Sequence, residues 1–186
     1  STATDQLTSY GDYDIFVHKS DSAGNLIWAK QIGGPGSEYA NSIALDDADN
    51  VSATGHFSMQ CDFNPDTAVT NSIVSIGGFV DLFLSSLDSN GIFKWVTSGI
   101  GGIEAESGSA VVIDNNNKLI FTGWYFSNEL TLGPFTMVKT PNPSFTSCDF
   151  FIPKTGSLVT GIEKPIQNLD CMIYPNPAFG HFSVML

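Results

Sequence analysis

Cationic residues are scarce in this chain. Its 186 residues include 7 Lys and Arg against 19 Asp and Glu, a formal net charge of −12. A protein this poor in cations cannot displace counterions along a phosphate backbone, so nucleic-acid binding is excluded. Charge of either sign amounts to only 14% of the sequence. No apolar run approaches the roughly 18 residues of a membrane-spanning helix, and no transmembrane segment is expected. The 3.6-residue periodicity of an amphipathic helix is missing as well. Cysteine occurs three times, as Cys61, Cys148 and Cys171. There is no C-x-x-C spacing and no paired histidine, which argues against zinc or redox chemistry. The odd count rules out a fully paired disulfide framework; a Cys61–Cys148 bridge stays open beside the favoured reading of free thiols. The first residues carry no basic segment followed by an apolar one, so no signal peptide is expected there. Nucleophile elbow, phosphate loop and dinucleotide fingerprint are all lacking, and no cofactor or metal is expected.

What the chain does contain is apolar and turn-rich. It is 42% hydrophobic and 12% aromatic, with 18 Gly and 14 Phe. Such a composition excludes disorder and suits many short strands joined by tight turns. The length alone suggests one domain of about 150 residues with some excess. Internal repetition changes that picture. Asp14-Ile15-Phe16-Val17 returns as Asp81-Leu82-Phe83-Leu84 and as Asp149-Phe150-Phe151-Ile152, at spacings of 67 and 68. Asp21-Ser22-Ala23-Gly24 returns as Asp88-Ser89-Asn90-Gly91, Trp28 as Trp95, and Gly33-Gly34 as Gly101-Gly102. Glu38 maps on Glu106, Ile43 on Val111, Asp46 on Asp114, and Thr54-Gly55 on Thr122-Gly123.

Each repeat reads as four strands. In the middle copy these are Asn41 to Asp46, Asn50 to Ser58, Asp81 to Leu87 and Ile92 to Ser98, with a short extra strand expected around Ser72 to Ile76. Apolar residues alternate with period 2, and Asp-, Asn- and Gly-rich turns separate the strands. A small twisted sheet with two apolar faces must stack on its neighbours, so the expected fold is all-β: a β-propeller fragment of four-stranded antiparallel blades with a period of about 67–68 residues. A β-solenoid is the competing architecture. Residues 1–38 would end a first blade, 39–102 form a complete second, and 103–154 a partial third that breaks off after Lys154, with Pro153 where a second-face strand residue should be. Residues 155–169 read as a linker.

Two stretches resemble known families. Residues Asp14 to Val17 and Gly24 to Gly34, with Tyr39 to Asp46 and Thr54-Gly55, resemble the bacterial SBBP (seven-bladed-propeller-type) repeat over roughly residues 5 to 154. The chain departs from it at Ser52-Ala53, where the family has a Tyr-Val pair. Tyr174-Pro175-Asn176-Pro177-Ala178-Phe179-Gly180-His181-Phe182 resembles the opening of the type IX secretion (Por) C-terminal sorting domain, which residues 170–186 would begin. The resemblances imply a secreted or cell-surface protein of a Gram-negative bacterium. Its partners would be the type IX secretion machinery, engaged through the motif of Tyr174, Pro175, Asn176, Pro177, Gly180 and Phe182, and a glycan or surface-protein ligand.

No residue is nominated as catalytic. His18, His56 and His181 share no spacing, and His18 reads as a rim residue. The cluster Asp46, Asp47 and Asp49 reads as a hairpin turn; it lacks the glycine and bidentate glutamate of a calcium loop. Trp28 and Trp95, at repeated positions, read as inter-blade core. Trp124, whose equivalent is His56, is the best candidate for a ligand-facing aromatic. Glu38 and Glu106, repeat-equivalent acids, are further candidates for one face of the propeller, beside a reading in which they bond backbone amides. The function expected is non-enzymatic binding or adhesion; the alternative is an accessory propeller of a secreted hydrolase or lyase whose catalytic part lies elsewhere.

Overall fold

A computed structural model describes residues 6–97, 100–132, 135–139 and 148–154. The linker, the sorting motif, Cys171 and His181 lie outside the described residues. Thirteen strands occur among those described, and no helix. β1 (Ile15–Ser20) and β2 (Leu26–Ile32) form a hairpin. β3 (Glu38–Leu45) and β4 (Val51–Ser58) follow; β5 (Gln60–Asp62) and β6 (Ser72–Val74) make a small inserted hairpin; β7 (Val80–Leu87) and β8 (Phe93–Val96) complete a four-stranded sheet in the order β3-β4-β7-β8. The pattern then repeats. β9 (Glu106–Ile113) and β10 (Leu119–Tyr125) pair, β11 (Glu129–Leu132) and β12 (Phe135–Val138) form a second inserted hairpin, and β13 (Asp149–Phe151) joins β10. All these pairings are antiparallel.

The middle sheet is a four-stranded meander, as the repeat predicts. The extra strand predicted near Ser72 exists, but as half of a hairpin whose other half, β5, carries no alternation long enough to read. The third copy carries Pro153 beside its last paired residue, Lys154. Pro153 does not break the pairing with β10: its carbonyl accepts the Phe121 N–H at 3.2 Å, and Lys154 bridges Ile120. Proline lacks a donor, not an acceptor, so it fits where only its carbonyl faces the neighbouring strand.

Four turns obey one local rule. In Asp21–Asn25, Asp46–Asn50, Asp88–Ile92 and Asp114–Lys118, the leading aspartate accepts backbone N–H groups two and four residues on, at 2.8–2.9 Å. The fourth residue of each has positive φ: Gly24, Asp49, Gly91 and Asn117. Glycine, asparagine and aspartate tolerate that conformation best, and the carboxylate satisfies the amides the turn would leave unpaired. The Asp46 cluster is thus a self-capped turn.

Stacking produces the core. On one face of the middle sheet, Val51, Ala53, Phe57, Phe83 and Leu87 pack against Ile15, Val17 and Ile32 of the first hairpin, with Trp28 partly buried beside them. On the other, Leu82 and Leu84 pack against Val111, Leu119, Phe121 and Phe151, with Trp95 at the margin. Period-2 alternation in β7 therefore sends successive residues into two different cores, and Asp81–Leu87 is buried throughout. This is the architecture of consecutive propeller blades.

The repeated Thr-Gly fastens neighbouring strands within each sheet, and in the middle copy it also meets the next sheet. Thr54 Oγ1 donates to the Phe83 carbonyl at 2.7 Å, and Thr122 Oγ1 donates to Phe151 at 2.7 Å. Gly55 sits opposite a bulge at Asn41, against the Tyr39 carbonyl, and Gly123 sits opposite the corresponding bulge in β9, against Ser107. Gly108 of β9 lies on Thr54 and Gly55 of the neighbouring sheet, where a Cβ would strike Thr54 Oγ1. Thr54→Val, which deletes the hydroxyl inside a fully buried site, is expected to lower unfolding stability by about 1–2 kcal/mol. Urea titration checks this as a lower midpoint at unchanged slope.

Candidate functional site

Strand ends on one edge of the stack bring together residues far apart in sequence. Tyr39, second in β3, lies beside His56 near the end of β4, and the two are register partners. Ser107 and Trp124 occupy the equivalent places in β9 and β10 and are again register partners. The Tyr39 ring stacks on His56 with centroids 5.0 Å apart and lies 5.2 Å from Tyr13. His56 Nδ1 is 3.0 Å from Ser107 Oγ in the next sheet. Trp124 meets Phe126 edge-on at 5.4 Å. A row thus runs Tyr13, Tyr39, His56, Ser107, Trp124 across three successive units. Tyr13 is 60% and Tyr39 40% exposed, while Trp124 is half-buried.

Trp124, nominated from sequence, therefore belongs to a larger aromatic row. Tyr13, Tyr39 and His56 were not singled out. The signal for two of them was available, since Tyr39 to Ser107 and His56 to Trp124 are each 68 residues apart. The row is obscured because its two repeat positions carry four different residue types.

A serine beside a histidine invites a catalytic reading. Ser107 is 1% exposed, and its hydroxyl also meets Asn41 Nδ2 at 3.2 Å. Asn41 Nδ2 also donates to the Gly108 carbonyl at 2.8 Å, and the Val111 N–H donates to Ser42 Oγ at 3.0 Å. Together these bonds form a polar seam between β3 and β9. Burial holds the His56 imidazole below its ordinary pKa, so the ring is neutral at neutral pH. The pair acts as an inter-sheet strut, and a nucleophile closed off from substrate has no reach.

Glu38 and Glu106 lie inside, at 2% and 0% exposure, so neither faces a ligand on the surface. Glu38 Oε2 accepts the Gly34 N–H at 3.0 Å and Glu106 Oε2 accepts the Gly102 N–H at 2.9 Å. The physical reason is local: each glutamate starts a first strand directly beneath the glycine pair that ends the preceding unit. His18 is exposed on the first hairpin and stacks with Phe16. Cys61 is a buried free thiol and Cys148 an exposed one, so the Cys61–Cys148 bridge does not form.

A groove lies between the first hairpin and β3, bordered by Val17, Lys19, Trp28, Ile43, Leu45 and Asp49. Lys19 pairs with Asp49 across it at 3.4 Å, and Trp28 Nε1 donates to the Ser89 carbonyl at 3.1 Å. Among the described residues, no group of three or more His, Cys, Asp or Glu side chains gathers as a metal site. No described helix is long and apolar enough to cross a membrane.

No protein-family model matches the chain. It is 30% identical over 143 residues to an uncharacterized WD repeat-containing protein of Acanthamoeba polyphaga mimivirus, covering 67% of this chain and 9% of that protein. WD repeats recur about every 40–45 residues. The longer period here is accounted for mainly by the inserted segment between β4 and β7 and its counterpart between β10 and β13. The repeat pattern, the stacked antiparallel sheets and this relative together make the chain a β-propeller-type repeat protein.

Proposed function

We propose that the chain is part of a secreted or cell-surface propeller protein with a non-enzymatic binding role, exported through the type IX pathway. The observation that supports binding is the aromatic row from Tyr13 to Trp124 along one edge of the stacked sheets. Flat, rigid rings with few rotatable bonds are effective contact groups, and tyrosine and tryptophan dominate binding hot spots. Ring faces alternating with a neutral imidazole suit the apolar face of a sugar or an extended segment of a surface protein. The support for export is the stretch Tyr174-Pro175-Asn176-Pro177 with Gly180 and Phe182, which resembles a type IX sorting motif. The chain spans 9% of the length of the relative it matches, and the activity of a longer protein is part of the same proposal.

Screening the chain on a glycan and surface-protein array tests the binding role. Binding without turnover is expected, and Tyr39→Ala is expected to weaken it about thirtyfold, the size of a hot-spot loss of roughly 2 kcal/mol. Turnover of the bound ligand would instead favour a catalytic or accessory-enzyme role. Unchanged affinity in both Tyr39→Ala and Trp124→Ala would remove the aromatic row from the site.

A further inference from the structure

Three buried carboxylates each leave one oxygen without a hydrogen-bond partner: Glu38 Oε1, Glu106 Oε1 and Asp81 Oδ1. Their residues are only 2%, 0% and 3% exposed. Buried unpaired oxygens are costly and rare, yet here the same glutamate atom is left unpaired at both repeat-equivalent positions. The surroundings repeat too. Each junction between successive units consists of an aspartate preceding or opening a third strand (Asp14, Asp81), a glycine pair (Gly33-Gly34, Gly101-Gly102) and a glutamate opening the next first strand (Glu38, Glu106).

The glycine pair sits between the two acids. A Cβ on Gly33 would strike the Asp14 carboxylate, and one on Gly101 the Asp81 carboxylate. A Cβ on Gly102 would lie 3.2 Å from Glu106 Oε1. Each glutamate holds the N–H of the second glycine through Oε2, and Ser127 also hydrogen-bonds Glu106 and opposes the rise of its pKa; Oε1 of each has no hydrogen-bond partner. Asp14 is bound by the Tyr10 and Gly11 N–H groups and by Gln31 Nε2, Asp81 by the Ile76 N–H. The other groups around the first junction are the buried Cys61 thiol and Asp62 on β5. Around the second are Glu104, Ser127, the Tyr125 phenol and Asp149. The Lys139 ammonium stands at the Phe126 carbonyl, 3.1 Å away, next to Ser127. The two ion pairs among the described residues, Lys19–Asp49 and Lys154–Asp114, engage aspartates of the first-to-second-strand turns, at the far ends of β3 and β9 from Glu38 and Glu106.

We propose that each junction is a proton-held clasp, in which the aspartate–glutamate pair retains one proton at neutral pH and its loss in mildly alkaline solution loosens one blade from the next. Like charges brought together around a buried carboxyl are relieved most simply by keeping a proton. The unpaired oxygens are the atoms available to carry it. Burial pushes Glu38 up to about 7, with Asp14 adding to the rise. Burial likewise pushes Asp81 up to about 7, with Glu106 adding, and raises Glu106 itself. A carboxyl raised in the folded state gives stability that is complete below its ordinary value near 4 and is lost as pH rises through 7. Glu38 and Asp81 are each expected to reduce the folding constant about tenfold to a hundredfold between pH 5 and pH 8.

Urea unfolding of the chain from pH 5 to pH 9, in chelator and again in millimolar Ca²⁺, tests the clasp. The midpoint is expected to fall between pH 5 and about pH 7.5 and to level off above it. In Glu38→Gln/Glu106→Gln the dependence is expected to flatten, with the variant more stable than the parent at pH 8. Equal slopes in parent and variant would overturn the proposal. So would Ca²⁺ stabilisation of the parent that the variant lacks, because the pair would then hold a cation. If the double variant does not fold, carboxyl ¹³C titration of the parent decides: midpoints near 7 support the clasp, and midpoints near 4 for all three acids overturn it.

Discussion

Phe83→Ala is expected to cost about 3–5 kcal/mol of unfolding stability, whereas Phe16→Ala is expected to cost less than about 0.5 kcal/mol. The two phenylalanines occupy the same repeat position, 67 residues apart. Phe83 is fully buried, its ring 4.9 Å from Phe63, which in turn meets Phe57 edge-on at 5.6 Å. Truncating it removes one ring from this aromatic cluster, and the sheets on either side cannot close over the void. Phe16 is 67% exposed. Its face of β1 is not covered, so alanine there removes little buried area. The third copy supplies an internal control: Phe151 is 2% exposed and packs edge-on against Phe121 at 5.7 Å, and its replacement should resemble that of Phe83. Urea midpoints of the three variants measure the contrast. Comparable losses at positions 16 and 83 would contradict the stacking order. Because a domain's whole stability is only about 5–15 kcal/mol, Phe83→Leu provides the smaller step if the alanine variant is unfolded without denaturant.

Gly55→Ala is expected to cost about 3 kcal/mol, from adding a single methyl group. That methyl would enter the Tyr39 carbonyl oxygen and come within 3.0 Å of the Ala40 Cα. Both obstacles are backbone, so no side-chain rotation relieves them. Moving β3 outward breaks its register with β4 at the bulge and disturbs the seam of Asn41 and Ser42 with β9. Gly123→Ala meets the Ser107 carbonyl in the same way and should behave alike. Amide hydrogen exchange would show the loss as faster exchange along β3 and β4, and a midpoint shift worth less than about 1 kcal/mol would sink the close-approach argument.

The repeat made much of this legible beforehand. Period-2 alternation, the Asp-led turns and the recurring Thr-Gly are local rules, written in adjacent residues, and each appears in the fold where the spacing places it. Trp28 and Trp95 flank the inter-sheet cores as their repetition suggests. The inserted hairpins were harder to read because β5 has three residues and β11 four, too short for a pattern to show. The placement of the candidate acids depended most on the tertiary fold. Glu38 and Glu106 read as residues of a shared face, but burial depends on what lies above them, and that is a glycine pair from the preceding unit. Tyr39 and His56 joined the site for a related reason: strand ends meet across blades, and no local pattern encodes that meeting.

The sequence by itself therefore determined the four-stranded frame of the unit: where it turns, and which positions alternate toward one face or the other. It did so because those properties follow from backbone sterics and nearest neighbours. Only the tertiary structure decided what each repeated position experiences. Ile43 and Val111 are equivalent in sequence, yet one is 57% exposed and the other 3%. β9 lies against β3, β4 and β7 of a preceding four-stranded sheet, whereas β3 has only the hairpin β1–β2 before it. A side chain's burial, and with it a carboxyl's proton or an aromatic ring's availability to a ligand, is set by its neighbour across the stack.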